Sequence, residues 1–160
     1  MIAGISFDSY YGPGSPVKIE AFERLAGIAL PALYKEICVG FNGAFILNKP
    51  VFKFYNRLLG EDVTSGTGMF LPFGEIEGSF ETMEIKYQYP PEEFVQGLII
   101  FSALGNGDAL CFDYRENRLT DDPSVVMWHH ESTPGSDLEL SFVAPSFSEF
   151  LGKLFERLAE

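Results

Sequence analysis

The sequence predicts an α+β fold in which a single, mainly antiparallel sheet packs with N-terminal helices and a C-terminal helix. Helical periodicity is confined to the two ends of the chain, strand-like runs fill the middle, and a glycine-rich turn separates two apolar runs near the centre. The 160 residues fit one domain, 1–160, and the 46% hydrophobic content argues against global disorder. Residues 1–14 have no period and are either a short strand or an N-terminal arm over the core.

Two helices are predicted near the N-terminus. Ser15 and Pro16 combine a capping residue with a first-turn proline, and apolar residues then recur at helical spacing until Gly27. A second pattern of the same kind predicts a helix over residues 31–40, after which an Asn-Gly pair turns the chain.

Strand candidates follow these helices. Residues 44–47 and 51–55 are apolar and β-prone, whereas 58–68 is polar and contains glycine, which favours a loop. Residues 69–73 form a short strand candidate, which Pro72 keeps out of the centre of a sheet.

The segment 75–89 fits two structures. A weak helical pattern links four of its residues, namely Phe80, Met83, Glu84 and Tyr87. Residues 84–89 also alternate as a strand would, and a proline pair ends the segment in either case.

The centre of the chain predicts a β-hairpin. The run Leu98–Phe101 is continuously apolar, which predicts a strand buried on both faces and placed mid-sheet. A turn at residues 105–108 follows, in which Gly105 and Gly107 supply the positive φ that hairpin loops need. A phosphate-binding loop is the alternative, but no helical pattern, lysine or arginine accompanies this turn.

The last third of the chain predicts two strands and a helix. Residues 125–129 form the first strand, and residues 138–143 alternate between apolar and polar as a second strand. Ser146 and Glu149 then form a capping box, S-x-x-E. The helix that they begin carries one apolar stripe, made of Phe147, Phe150, Leu151, Leu154, Phe155 and Leu158.

Charge is distributed unevenly along the chain. The formal net charge is −12, yet residues 1–57 hold four acidic and six basic residues. Residues 58–160 therefore hold 19 acidic and five basic residues, a net of −14. Such a balance disfavours nucleic-acid binding, which needs cations, and suits the steering of a basic protein partner; simple solubility is the alternative reading.

Other features bear on the compartment. No apolar run reaches the roughly 20 residues that span a bilayer, and the first residues make a poor secretion signal. Cys38 and Cys111 lie in apolar patterns, where a thiol is inert. These features lead us to expect a cytoplasmic protein with reduced thiols and no membrane partner.

No catalytic or metal constellation is evident. His129 and His130 are adjacent, so on a strand they point to opposite faces and do not easily share one ion. The acids between Glu75 and Glu84 could supply a glycosidase pair, but carboxylates this frequent usually form a solvated face. We therefore expect neither an enzyme nor a cofactor or metal.

Several short motifs follow one another in a characteristic order. They are Phe22-Glu23 with Leu30-Pro31 and Tyr34, Asn42-Gly43, Phe70-Leu71-Pro72, Leu98–Phe101 with Gly107-Asp108 and Cys111-Phe112-Asp113, Pro123 with Val125-Val126, and Ser146-Phe147 to Leu151. Their order resembles the SUKH superfamily, which includes fungal cell-wall-assembly regulators and many bacterial immunity proteins. The likeness spans residues 16–158, and Ala44 replaces a glycine of the family pattern.

The resemblance implies a binding protein without catalytic residues, in the role of an immunity protein that binds and blocks a toxin, often a nuclease. An intracellular regulatory or scaffold protein is the alternative. The expected partner is a basic toxin domain, and the chain itself is expected to be a monomer or weak homodimer. The structural motif residues are Pro31, Asn42, Gly43, Gly107 and Asp108. The candidate partner-binding residues are the acids Glu61, Asp62, Glu75, Glu77, Glu81, Glu84, Asp121 and Asp122.

Overall fold

The computed structural model describes residues 1–79 and 81–158. The elements within them are, in chain order, β1 (Phe7–Ser9), α1 (Pro16–Ala26), α2 (Ala32–Gly40), β2 (Ala44–Ile46), β3 (Val51–Asn56), β4 (Glu61–Gly66), α3 (Met83–Gln88), β5 (Leu98–Ala103), β6 (Ala109–Asp113), β7 (Ser124–Trp128), β8 (Leu140–Ala144) and α4 (Phe147–Gly152). Phe80, which belongs to the weak helical pattern, lies outside the described residues.

The strands form three antiparallel sheets, so the prediction of a single sheet is wrong, although the α+β class is confirmed. β1 pairs with β2, β3 with β4, and the other four form a sheet in the order β5-β6-β7-β8. β3 packs beside β8. There the N–H of Arg57 donates to Ser141 Oγ at 2.9 Å, and Val51 exchanges backbone hydrogen bonds with Phe155. The edge of β3 that faces β8 is thus occupied by the Ser141 side chain and by the C-terminal segment. The β3–β4 hairpin therefore stays a separate sheet.

The predicted central hairpin is confirmed. β5 pairs antiparallel with β6, and Gly107 in the turn has the predicted positive φ, +96°. Gly105 does not have a positive φ, so the prediction for that glycine is wrong. However, β5 is the outer strand of its sheet and does not lie mid-sheet. Its outer edge is covered by Phe70 and Leu71, here called the Phe70 segment. Phe70 bridges to Ser102, and the N–H of Leu71 donates to the Phe101 carbonyl at 2.8 Å. The continuous apolar run thus reflects a covering segment as well as two buried faces.

Both predicted N-terminal helices are confirmed. Ser15 Oγ accepts the N–H of Lys18 at 3.3 Å at the start of α1. Gly27 ends α1 with φ of +68°, and its N–H donates to the Glu23 carbonyl at 2.8 Å. α2 begins directly after the buried Pro31.

The prediction of a loop at 58–68 is wrong, because residues Glu61–Gly66 form β4. This strand is exposed or half-buried along its length and therefore carries no apolar alternation that would reveal it. The predicted strand at 69–73 is reduced to one bridge between Phe70 and Ser102.

The ambiguous segment 75–89 contains a helix, α3. Thr82 lies at its N-cap, and the Thr82 Oγ1 accepts the N–H of Ile85 at 3.2 Å. The helical alternative is therefore confirmed over Met83–Gln88, and the strand alternative is wrong.

The C-terminal helix α4 is shorter than its apolar stripe predicts. Ser146 Oγ caps it as expected, at 3.1 Å from a first-turn N–H, but the helix ends at Gly152. Phe155 then exchanges backbone hydrogen bonds with Val51 at 2.9 and 3.4 Å, which requires an extended chain. Leu158, at the end of the predicted stripe, is 84% exposed.

The strand at 138–143 is confirmed over Leu140–Ala144, but the polar members of its alternation face inward. Ser141 is fully buried and Glu139 is 5% exposed, whereas Phe142 is 59% exposed. Buried polar groups need hydrogen-bond partners, and both Ser141 and Glu139 have them.

An aromatic cluster forms the centre of the core. Tyr34 is fully buried. The centroid of its ring lies 5.0 Å from that of Phe112, 5.4 Å from that of Phe147 and 5.7 Å from that of Phe101, in edge-on arrangements. α2, the β5–β6 hairpin and α4 therefore meet at one side chain. Burial raises the pKa of Tyr34 well above its ordinary value.

Candidate partner-binding surface

The eight candidate acids lie on three separate parts of the fold. Glu61 and Asp62 begin β4, and Asp121 and Asp122 lie in the loop between β6 and β7. The other four lie between the Phe70 segment and the first turn of α3, which contains Glu84. Seven of the eight are exposed, and Glu84 is half-buried. Within the described residues, no hydrogen bond or ion pair joins one group to another.

The group between residues 74 and 84 divides into bound and free carboxylates. Both oxygens of Glu84 accept the N–H of Gly74, at 2.9 and 3.0 Å, so this carboxylate closes the loop. Glu81 lies 3.2 Å from the ammonium of Lys86, which offsets its charge. Glu75 and Glu77 are exposed and have no ion pair with any other described residue. These two acids are the ones in this group that remain free for a partner.

The loop that carries Asp121 and Asp122 is held against α1. An Nη2 of Arg118 donates to the Ala26 carbonyl at 2.7 Å, at the C-terminal end of α1 where a cation is favoured. The hydroxyl of Tyr114 donates to the Ala29 carbonyl at 2.6 Å. Burial raises the pKa of Tyr114, so this hydroxyl keeps its proton and its donor role. The two aspartates are therefore exposed on an anchored loop.

The motif residues of the second helix and its turn act as framework. The amide of Asn42 pairs with the backbone of Phe73, with Oδ1 accepting the N–H at 2.9 Å and Nδ2 donating to the carbonyl at 3.3 Å. Gly43 has φ of +70°, and a β-carbon there would meet the ring of Tyr11 at 2.8 Å. Glu23 accepts the N–H of Leu30 at 2.8 Å, which fixes the connection between α1 and α2.

Asp108, at the hairpin turn, contacts both histidines of the chain. Its Oδ1 accepts the backbone N–H of His130 at 3.1 Å and lies 2.6 Å from His130 Nδ1, while Oδ2 lies 3.3 Å from His129 Nδ1. His129 is buried and His130 is exposed, but both Nδ1 atoms converge on this one carboxylate. The prediction that the two side chains point to opposite faces of a strand is therefore wrong, because β7 ends at Trp128 and both histidines follow it. Although burial alone would raise its pKa, the hydrogen bonds from the two histidines hold the pKa of Asp108 below its ordinary value.

A second contact of His129 completes a Ser-His-Asp arrangement that the sequence did not reveal. Its Nε2 lies 2.7 Å from Ser141 Oγ. Its ring is nearly parallel to that of Phe54, with 6.4 Å between the ring centroids. Ser141 is fully buried, and its Oγ also accepts the N–H of Arg57. A nucleophile must reach its substrate, and this hydroxyl is enclosed. The arrangement therefore serves as a structural network that ties the hairpin turn, β7, β8 and β3 together.

Glu139 is a second buried polar residue that sequence reasoning missed. Its carboxylate accepts the indole N–H of Trp128 at 3.3 Å and the N–H of Gly135 at 2.8 Å. No local signal distinguishes it or Ser141 from surface residues, because their partners lie on other elements.

Within residues 1–79 and 81–158, no group of three histidine, cysteine, aspartate or glutamate side chains is suited to a metal ion. Burial raises the pKa of the Cys38 thiol to about 12 and that of Cys111 well above its ordinary value, so both free thiols are poor nucleophiles. No helix in the described part of the chain is both long and apolar enough to cross a membrane.

Comparison with protein families gives a match over most of the chain. The model of the SMI1 / KNR4 family (SUKH-1) matches residues 13–153, which is most of the chain. No curated protein matches the chain significantly.

Proposed function

The chain belongs to the SMI1 / KNR4 family (SUKH-1), and from this membership we propose that it is an immunity protein that binds and neutralises a toxin, of the nuclease class, through an acidic surface. The observation that carries the proposal is a set of exposed carboxylates without ion partners among the described residues. They are Glu61, Asp62, Glu75, Glu77, Asp121 and Asp122.

The charge of these residues suits a nuclease partner. A nuclease must approach phosphate, so its cleft tends to be basic. Exposed carboxylates raise the rate of encounter with such a cleft and can occupy it in place of phosphate. Glu81 and Glu84 belong to the same segment, but their carboxylates are engaged by Lys86 and Gly74 and contribute less.

The proposed action is binding without catalysis and without a cofactor. The triad-like arrangement of Asp108, His129 and Ser141 has its serine enclosed, and the two thiols are buried. We propose that the protein acts in the cytoplasm, where buried reduced thiols are ordinary.

A toxin encoded by a neighbouring gene would be the partner to test. Stopped-flow association should slow by roughly tenfold or more between about 50 mM and 300 mM salt, since steering fades beyond a Debye length of about 10 Å. The double substitution Glu75→Gln and Glu77→Gln should slow association at low salt. The matched control, Glu20→Gln with Glu36→Gln, removes the same charge from exposed residues of the N-terminal part and should leave the rate unchanged.

Two outcomes would count against the proposal. One is the absence of any association with the adjoining toxin at low salt. The other is recovery of a non-toxin partner by pull-down, with no toxin gene nearby, which would favour the regulatory or scaffold role instead.

A further inference from the structure

The outer edge of β4 is open. β4 pairs with β3 alone in a two-stranded sheet, and its register with β3 is unbroken from Glu61 to Gly66. It contains no proline or bulge, and its charged residues, Glu61 and Asp62, are confined to its first two positions, so little protects the rest of this exposed edge. By contrast, the outer edge of β5 is covered by the Phe70 segment.

The neighbouring hydrogen bonds show which backbone groups face outward. Val51 and Arg57 direct their N–H groups away from β4, toward Phe155 and Ser141. Because backbone groups alternate along a strand, those of the alternate residues Phe52, Phe54 and Asn56 face β4. Those of their register partners Ser65, Val63 and Glu61 face β3.

Asp62, Thr64 and Gly66 therefore direct their backbone groups to the open edge. The described residues offer no backbone partner to any of them, and the Gly66 carbonyl accepts only the hydroxyl of Ser65, at 3.0 Å. Thr64 lies at the middle of these three, so the open edge is centred on it.

Opposite charges lie at the two ends of this edge, on one face. The Asp62 side chain points to the same face as a β-carbon at Gly66 would, since the two residues are four apart on a strand. The guanidinium Nη2 of Arg157 lies 3.9 Å from the position that this β-carbon would take. Neither Asp62 nor Arg157 has an ion pair within the described residues.

We propose that the open edge of β4 binds β4 of a second copy of this chain, in an antiparallel, two-fold symmetric pair. With Thr64 opposite Thr64 of the second copy, Asp62 lies opposite Gly66 of that copy, beside its Arg157. Symmetry repeats the pair, so two Asp62–Arg157 contacts flank two central hydrogen bonds. Each copy thus contributes both the acid and the base of the two symmetric contacts.

The contact is small, and each copy carries a net charge of −12, so the dimer is weak and depends on concentration. It also covers Asp62, one of the acids proposed to bind the toxin. The dimer and the toxin complex therefore compete, but the dimer is tested without any toxin.

Sedimentation velocity over a concentration series tests the backbone part of the proposal. Thr64→Pro removes the outward N–H, at an edge position where proline is tolerated, and should abolish the dimer. Thr64→Val keeps the N–H and should retain the dimer. A wild-type chain that stays monomeric up to about 1 mM overturns the proposal, as does a dimer that Thr64→Pro leaves unchanged.

A charge swap tests the register without relying on the proline variant. Asp62→Arg and Arg157→Asp each place like charges in both contacts and should weaken their own homodimers roughly tenfold, given that exposed ion pairs are individually small. Mixed together, the two variants restore opposite charges in both contacts, so a heterodimer should form with near wild-type affinity. Homodimers of undiminished strength, or no heterodimer in the mixture, would overturn the proposed pairing.

Discussion

The carboxylate of Asp108 accepts the backbone N–H of His130 at 3.1 Å and lies 2.6 Å from the Nδ1 of the same residue. One acid in the hairpin turn therefore fixes the chain where it leaves β7. Replacing Asp108 by Asn should destabilise the fold by about 1–3 kcal/mol at pH 7, the range for hydrogen bonds to a charged group.

The pH dependence of this effect has a definite sign. The folded pKa of Asp108 is lowered, so the carboxylate stabilises the fold above its unfolded pKa, which is about 3.9. That contribution is lost as the pH falls through the lower folded pKa. Urea unfolding at pH 7 and near pH 3 should show the difference between wild type and Asp108→Asn shrinking with acid; an equal difference at both values would contradict this.

Gly107 provides space for His130. A β-carbon there would lie 2.9 Å from the His130 ring, and the backbone has φ of +96°. Gly107→Ala should therefore lower stability by about 1–3 kcal/mol, from strain and contact together. In a His130→Ala background the same change should cost less, because only the backbone strain remains. Thermal unfolding of the four proteins measures the coupling, and purely additive effects would show that the ring contact is unimportant.

Asn42 and Asn48 each bridge backbone groups with their side-chain amides, and Asn42 should contribute more to the stability of the fold. Asn42→Ala leaves the backbone of the buried Phe73 without its partner and should cost about 1–3 kcal/mol. Asn48 bridges Ser6 and Gly4 in the N-terminal segment, so Asn48→Ala is the matched control. Hydrogen exchange should rise around Phe73 in the first variant and only near the N-terminus in the second. Similar exchange patterns in both would refute the distinction.

Ser141 should matter for stability and not for hydrolysis. Ser141→Ala removes the acceptor of the Arg57 N–H and the partner of His129, so unfolding in urea should become easier by about 1–3 kcal/mol. Any hydrolysis of an activated ester by the protein should be the same in wild type and variant. A loss of hydrolysis in the variant would instead indicate that the Ser-His-Asp arrangement is catalytic.

The two thiols should react only when the chain opens. Cys38 and Cys111 are buried, and burial raises the pKa of Cys38 to about 12, so little thiolate is present at pH 8. A chromogenic disulfide reagent should modify neither at an appreciable rate in the native state and both in urea. Rapid reaction of a native thiol would place it nearer the surface than the structure does.

Short sequence signals correctly predicted the helix ends and the turn whose interactions are formed by neighbouring residues. Ser15, Gly27 and Ser146 predicted helix ends because caps satisfy backbone groups within a few residues. The Gly105–Asp108 turn predicted the central hairpin for the same reason. β4 gave no signal, because a strand that buries little has no apolar alternation to show.

The candidate surface was predictable only as a set of exposed acids. Sequence reasoning placed Glu75, Glu77, Glu81 and Glu84 together, but the structure divides them into free and engaged carboxylates. That division depends on Lys86 and on the Gly74 N–H, and the bond to Gly74 spans ten residues. Segment charge does not show which acids have partners, because pairing depends on how the loop closes onto α3.

The sequence by itself determined the α+β class, the ends of α1, the central hairpin and the family. Each of these depends on the order and spacing of residues that are close together in the chain. Tertiary structure alone decided that the strands divide into three sheets, that β5 lies at an edge, and that α4 stops at Gly152. It also decided that Asp108, His129 and Ser141 share one network. These outcomes depend on contacts between residues distant in the chain, such as the hydrogen bonds of Phe155 with Val51 and of Arg57 with Ser141. No local sequence pattern encodes such contacts.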